Sequence, residues 1–204
     1  MTTRNDLKSA QRLVVKLGTQ VVTHDGVHLA LGRIHSLVED VARFHLDGKQ
    51  MILVTSGAVA MGLRALGMEE GTPSLAVKQA CAAIGQGQLM SLYSQAFGQL
   101  GVKTAQVLLS QHDLSDTTRA LNLRTTLMRL LELGVVPILN ENDSVSVDEL
   151  LEDADRAFGD NDALSAKVAT NLNADLLIML SNVNGLFSKD PNTHKKAQRI
   201  AAVE

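Results

Sequence analysis

The sequence predicts an α/β fold with a mostly parallel sheet that helices cover on both faces. Segments with strand and helix patterns alternate along the 204 residues. The strand segments are continuous apolar runs, which is typical of strands buried on both faces in parallel sheets. Hydrophobic residue types make up 45% of the chain, which is enough for one sizeable domain or two small ones.

Five segments have the pattern of buried strands, because they are short, rich in apolar residues and bounded by turn residues. The predicted strands are residues 12–17, 51–54, 105–109, 135–139 and 176–180. Right-handed crossovers between parallel strands would place all their carboxyl ends along one edge, where ligands bind in open α/β sheets.

Four segments between the strands have helical periodicity. The predicted helices are residues 31–48, 75–97, 117–133 and 162–171, the second of them interrupted near Gly85 and Gly87. Two other stretches lack this periodicity. Residues 144–159 are acidic and predicted to form a loop, and residues 188–199 are polar and basic and predicted to lie on the surface.

Composition excludes several classes of function. With 19 basic and 22 acidic residues the net charge is −3, which excludes a nucleic-acid binder driven by electrostatics. The single cysteine, Cys81, excludes an internal disulfide framework and a multi-thiolate metal site. Because no apolar signal segment and no membrane-length apolar run is present, we expect a cytoplasmic protein without a membrane partner.

Polar clusters occur at the predicted strand ends and before the last helix. They are KLGTQ (16–20), TSGA (55–58), NEND (140–143), GDND (159–162) and SNVNG (181–185). Taken singly, Lys16 could be an edge lysine, Ser56 a turn residue and Asp162 a helix N-cap. Five clusters at one edge favour a common crevice. A lysine beside a glycine turn, with carboxylates and amides nearby, suits phosphate, Mg²⁺ or an ammonium group.

Familiar phosphate and metal motifs are absent from the sequence. No Walker A pattern occurs, and Gly85-Gln86-Gly87 lacks the third glycine of a dinucleotide fingerprint and lies inside a helical pattern. The acidic cluster that starts at Asp153 lacks the EF-hand glycine, since Phe158 stands in its place. The strand-end clusters are therefore the candidate site.

The strand-end clusters lie in longer motifs, which are VVKLGTQVVT (14–23), VTSGAVAMG (54–62), KQACAAIGQGQLMSLY (78–93), NENDSV (140–145) and FGDNDALSA (158–166). Through these motifs the chain resembles the glutamate 5-kinases of the amino acid kinase family, and equally the kinase half of the bifunctional Δ1-pyrroline-5-carboxylate synthases. The resemblance implies a three-layer α/β/α sandwich, the amino acid kinase fold. It implies transfer of the ATP γ-phosphoryl group to the γ-carboxylate of L-glutamate, which gives glutamyl 5-phosphate for proline biosynthesis.

The resemblance also implies roles for individual residues. Lys16 matches the lysine that contacts the transferring phosphoryl group, and Asp160 matches the aspartate that positions catalytic lysines. The residues that match glutamate-binding positions are Ser56, Asp143 and Asn161. The residues expected to contact ATP are Lys16, Gly18, Ser181 and Asn182. No metal site is expected on the protein, because Mg²⁺ would arrive with the nucleotide.

The resemblance extends to partners and domain organisation. It implies L-glutamate and ATP as ligands, raises proline as a feedback inhibitor, and implies a homo-oligomer. We expect residues 1–204 to form an amino acid kinase domain that is incomplete at its C-terminal, nucleotide-binding end, because the family places a glycine-rich, lysine-bearing segment further along. Two alternatives stay open: a non-catalytic fragment that binds nucleotide or amino acid, and the kinase part of a bifunctional synthase.

Overall fold

The computed structural model of the protein describes residues 6–24, 26, 28–68, 73–145 and 160–202. The strands in this part of the chain are β1 (Arg12–Leu17), β2 (Gln50–Val54), β3 (Lys103–Leu109), β4 (Val135–Glu141) and β5 (Leu176–Leu180). They form one sheet with the order β3-β4-β2-β1-β5, and every pairing is parallel. All five carboxyl ends therefore lie at one edge of the sheet, as predicted.

Helices connect these strands. After a short 3-10 helix (Asp6–Ser9) they are α1 (Thr19–Val22), α2 (Leu31–Leu46), α3 (Ala58–Ala65), α4 (Leu75–Gln99), α5 (Gln111–Ser115), α6 (Thr117–Glu132) and α7 (Asp160–Asn171). In the described part of the chain, no helix combines the length and apolar character that crossing a bilayer requires.

Alternating side chains of the strands feed two separate cores, which confirms the three-layer α/β/α sandwich. Leu13 and Val15 of β1 pack in one core with side chains of α2 and α4. Val14, between them, packs in the other core with side chains of α6 and α7. The central strands are buried from both sides, which explains their continuous apolar sequences.

The chain leaves two neighbouring strands toward opposite faces of the sheet. β2 continues into α3, whose Met61 packs in the core shared with α2 and α4. β4 is followed by α7, whose Leu164 and Val168 pack in the opposite core. β2 and β4 are neighbours in the sheet, and the helices that follow them lie on opposite faces. This leaves a crevice between their carboxyl ends, which is where open α/β sheets bind ligands.

The predicted interruption of α4 is wrong. The helix runs unbroken from Leu75 to Gln99. A Cβ at Gly85 would lie 1.9 Å from the Ala58 carbonyl oxygen, and a Cβ at Gly62 of α3 would lie 1.9 Å from the Cys81 carbonyl oxygen. These two glycines let the backbones of α3 and α4 touch, so glycine here serves helix packing and does not break the helix.

Three short helices, α1, α3 and α5, are absent from the sequence-based prediction. Gly57, which precedes α3, has a φ of 105°, a left-handed conformation that favours glycine.

Most of the predicted loop 144–159 lies outside the described residues. The segment 188–199 is largely exposed, as predicted, and a bridge from Phe187 to Arg199 closes it.

Candidate active site at the carboxyl edge of the sheet

Lys16 is a nearly buried lysine at the carboxyl end of β1. The alternation of β1 turns its side chain toward α7, where Nζ lies 2.5 Å from Asp162 Oδ1. The residue is 8% exposed. Gly18 follows, and a Cβ there would lie 3.4 Å from Lys16 Nζ and 3.4 Å from the Leu180 carbonyl oxygen. The ammonium group therefore lies beside a glycine turn, in a place that a ligand oxygen can approach.

The carboxylate that pairs with Lys16 is Asp162. The sequence suggested Asp160 for this role and left Asp162 as a possible N-cap. The N-cap interpretation is wrong, because α7 already begins at Asp160 and Asp162 lies in its first turn. The side chain of Asp160 is outside the described part of the structure, so its role stays a prediction.

Ser56 and Asn161, which are 105 positions apart in sequence, meet at the ends of β2 and α7. Asn161 Nδ2 donates a hydrogen bond of 3.0 Å to Ser56 Oγ. Both residues are buried, at 4% and 3% exposure. Two of the three residues predicted to bind substrate are thus in direct contact.

Thr55 anchors the turn that carries Ser56. Its Oγ1 lies 3.0 Å from the hydroxyl of Tyr93, which belongs to α4. Burial raises the pKa of Tyr93 to about 12, so this hydroxyl is neutral at physiological pH. The Thr55 amide also donates to the Leu139 carbonyl of β4 at 2.9 Å. The turn after β2 is therefore held from two sides.

A cavity of about 200 Å³ opens between the ends of β2 and β4. All three predicted substrate residues, Ser56, Asp143 and Asn161, line it, together with the first turn of α3. Asp143 is 6% exposed, so its carboxylate is an almost buried acidic group in the wall of the cavity. The volume suits a ligand the size of an amino acid.

Two further residues of the cavity wall were not predicted. Lys78 of α4 brings a basic group to the cavity. Asn140, at the end of β4, is 1% exposed and donates from Nδ2 to Gln86 Oε1 at 2.7 Å. Asn140 begins a polar cluster that the sequence singled out, whereas Lys78 begins the motif 78–93, to which the sequence assigned no site role, and reaches the cavity through the packing of α3 on α4.

Ser181 and Asn182, the predicted ATP contacts after β5, lie at the same edge of the sheet but outside this cavity. Both are exposed. Ser181 Oγ accepts a hydrogen bond from the Val183 amide at 3.2 Å, which forms a tight turn. The Gly18 amide donates to the Leu180 carbonyl at 3.2 Å, so the glycine turn after β1 is fastened to this second loop.

The strand order arranges these groups in a row along the edge. Asp143 follows β4, Ser56 follows β2, Lys16 ends β1 and Ser181 follows β5, in the spatial order of the strands. Within the described residues, no group of three or more histidine, cysteine, aspartate or glutamate side chains is placed to hold a metal ion. The edge thus presents a cavity with acidic and basic groups, then a lysine and a glycine turn, and then an exposed loop.

Comparison of the sequence with known proteins identifies the family of the chain. The sequence profile of the amino acid kinase family matches residues 11–204. A glutamate 5-kinase of Symbiobacterium thermophilum is 47% identical over 191 residues, which are 94% of this chain and 71% of the relative. A glutamate 5-kinase of Acaryochloris marina is 50% identical over 196 residues, which are 96% of this chain and 52% of the relative.

The glutamate 5-kinase of Moorella thermoacetica is 47% identical over 197 residues, or 97% of this chain and 50% of the relative. The chain therefore spans about half the length of most of the curated relatives it matches. The matched profile, the similarity to these glutamate 5-kinases and the parallel α/β/α sandwich agree. The chain belongs to the amino acid kinase family.

Proposed function

We propose that the protein transfers the γ-phosphoryl group of ATP to the γ-carboxylate of L-glutamate, giving glutamyl 5-phosphate. The row of groups at the carboxyl edge of the sheet carries this proposal. An amino-acid-sized cavity with an acidic wall lies beside a lysine and a glycine turn, and a loop suited to the nucleotide follows. The similarity to glutamate 5-kinases supports L-glutamate as the acceptor and a role in proline biosynthesis.

The chemistry needs cations more than a base. A glutamate side chain has a pKa of about 4.3, so the attacking carboxylate is already ionised at neutral pH. The barrier comes from bringing anions together in line. Lys16 supplies positive charge for the phosphoryl oxygens, the turn at Gly18 leaves room for them beside the ammonium group, and Asp162 keeps Lys16 oriented by its 2.5 Å ion pair.

The charges of the cavity match a free amino acid. The carboxylate of Asp143 binds the ammonium group, while Ser56 and Asn161 donate and accept hydrogen bonds on the substrate. Lys78 and the residues of the first turn of α3 line the same cavity, and a lysine together with a helix N-terminus suits the α-carboxylate. Holding the ammonium and the α-carboxylate, which are both attached to Cα, directs the side-chain carboxylate of the substrate toward Lys16.

ATP occupies the adjoining part of the edge in this proposal. Gly18, Ser181 and Asn182 contact the nucleotide, and Mg²⁺ enters as part of the MgATP substrate, bound by phosphate oxygens. Asp160 assists Asp162 in positioning the lysine. A cytoplasmic location, a homo-oligomeric assembly and feedback inhibition by proline belong to the same proposal and rest on the family resemblance and the similarity to glutamate 5-kinases.

The test is formation of γ-glutamyl hydroxamate by the full-length protein with ATP, Mg²⁺ and hydroxylamine. We expect product with L-glutamate and much less with glutarate, which has the same two carboxylates and lacks the ammonium group that Asp143 binds. Binding of glutamate without product would favour the non-catalytic binding protein. Product from glutarate and glutamate alike would contradict the assigned substrate orientation. Coupling of a reductase to the same polypeptide would identify the bifunctional synthase.

A further inference from the structure

A buried pair of amides connects α4 to the end of β4. Gln86 is 9% exposed and Asn140 is 1% exposed. Asn140 Nδ2 donates to Gln86 Oε1 at 2.7 Å. Asn140 Oδ1 and Gln86 Nε2 are also buried, and neither has a hydrogen-bond partner among the described residues. Leaving buried polar atoms unpaired is costly, so such a pair points to a ligand that completes it.

The two amides occupy the wall between two cavities. Asn140 lines the cavity that holds Ser56 and Asp143. Gln86 lines a neighbouring cavity of about 310 Å³, which shares Asp143 and Ala58 with the first. The hydrogen bond to Gln86 Oε1 fixes which way the Asn140 amide is turned, and the buried Asn140 atom that has no partner among the described residues is an acceptor, Oδ1.

An acceptor beside a carboxylate is the arrangement that a primary ammonium group needs. Such a group carries three N–H donors and no acceptor. Asp143 lies three positions after Asn140 and lines the same cavity. One carboxylate and one neutral amide oxygen together can accept these donors without adding a second negative charge, which would repel the carboxylates of the substrate.

We propose that Gln86 is a positioning residue for amino-acid recognition, an inference that rests on the proposed function. By accepting from Asn140 Nδ2, Gln86 fixes the amide so that Asn140 Oδ1 binds the substrate ammonium together with Asp143. Gln86 itself does not touch the substrate. Its loss therefore weakens only interactions that involve the ammonium group, and leaves phosphoryl transfer to an acceptor without an ammonium unchanged.

The test compares L-glutamate with glutarate as acceptors for wild-type full-length protein and for Gln86→Met, a substitution of similar size that removes the acceptor. We expect kcat/KM for glutamate to fall about tenfold, the loss of one charge-assisted hydrogen bond, with kcat and the KM for ATP unchanged. Residual activity with glutarate is expected to stay constant. Gln106→Met is the matched control, because Gln106 is an exposed glutamine that lines the same neighbouring cavity.

Gln86→Glu is expected to keep a higher glutamate-to-glutarate ratio than Gln86→Met, because its carboxyl oxygen keeps the acceptor for Asn140 Nδ2. If Gln86→Met does not fold, Asn140→Ala carries the same test and must lower the glutamate-to-glutarate ratio. Equal losses with both acceptors, or an unchanged ratio, would overturn the inference and leave the proposed function standing. Absence of glutamate phosphorylation in the wild-type protein would instead overturn the proposed function.

Discussion

The two edges of the sheet use similar polar residues for different ends. At the amino edge, Asp175 Oδ2 accepts from the backbone amides of Gln11 and Arg12, each at 2.8 Å. Arg12 Nε donates to Gln50 Oε1 at 2.8 Å, and Lys49 Nζ donates to the Ala10 carbonyl at 2.5 Å. The charged side chains at this edge form hydrogen bonds with other groups of the protein. These bonds link β1 to the neighbouring strands on both sides.

At the carboxyl edge, polar side chains are more deeply buried and surround a cavity. Lys16, Asp143 and Asn140 are 8%, 6% and 1% exposed. Asn140 Oδ1 has no protein partner within the described residues. The difference teaches that the amino edge holds the strands together, whereas the carboxyl edge leaves room for a ligand. The room arises because α3, after β2, and α7, after β4, lie on opposite faces of the sheet.

The largest effect is expected from Lys16→Met, which removes the cation at the carboxyl edge. Loss of a donor that stabilises transition-state charge lowers kcat by about a hundredfold or more. Measurement of hydroxamate formation per folded molecule, with folding followed by circular dichroism, checks this. Lys103→Met is the control, because Lys103 is an exposed lysine at the amino end of β3. A Lys16→Met protein that retained half of the wild-type kcat would remove Lys16 from the chemistry.

The next largest effect is a loss of stability when the contact between α4 and the first turn of α3, which lines the cavity, is disturbed. Gly85→Ala places a Cβ 1.9 Å from the Ala58 carbonyl oxygen, and overpacking of this kind costs about 1–3 kcal/mol of unfolding free energy. Gly87→Ala, two positions along the same helix, meets nothing within 4 Å and is expected to stabilise by up to about 1 kcal/mol. Urea unfolding measures both, and equal destabilisation would refute the close contact of α3 and α4.

The smallest effect is expected at the amino edge, from Asp175→Asn. Hydrogen bonds from the amides of Arg12 and then Gln11 hold the pKa of Asp175 below its ordinary value of 3.8. A lowered pKa in the folded state means that the carboxylate stabilises the fold above about pH 3.8 and loses this contribution as the pH falls through the folded value.

We therefore expect Asp175→Asn to lower the melting temperature at pH 7 and to leave kcat unchanged. The difference from wild type shrinks in acid, below the ordinary aspartate pKa. Thermal unfolding across a pH series checks this behaviour. A loss of activity without a loss of stability would place Asp175 in the functional site and erase the contrast between the two edges.

The sheet could be predicted because its sequence signal is local. Continuous apolar runs marked all five strands, and the bounds predicted for β1 and β5 are confirmed. The short helix α3 could not be predicted, since eight residues after a turn show too little periodicity. The packing role of Gly85 could not be predicted either, because the backbone that it contacts belongs to another helix, α3.

The sheet edge indicated where the candidate site lies, whereas the roles of its individual residues came from the family resemblance. Parallel strands bring their carboxyl ends together, so the proximity of Ser56 and Asn161 could be expected. Which acidic residue of this segment pairs with Lys16 could not be predicted, because the pairing of Asp162 depends on how α7 packs against β1. Lys78 and Gln86 enter the site only through the packing of α4.

Binding of L-glutamate measured by calorimetry to the wild-type full-length protein, Asp143→Asn and Asp175→Asn tests the central claim most directly. Asp143 lies in the cavity of the carboxyl edge, and Asp175 is a matched aspartate at the amino edge. Loss of a hydrogen bond to a charged group costs about 1.5–3 kcal/mol, so Asp143→Asn is expected to weaken binding at least about tenfold. Asp175→Asn is expected to bind glutamate as the wild type does. Equal affinity of wild type and Asp143→Asn would contradict the assignment of the carboxyl edge as the amino-acid site.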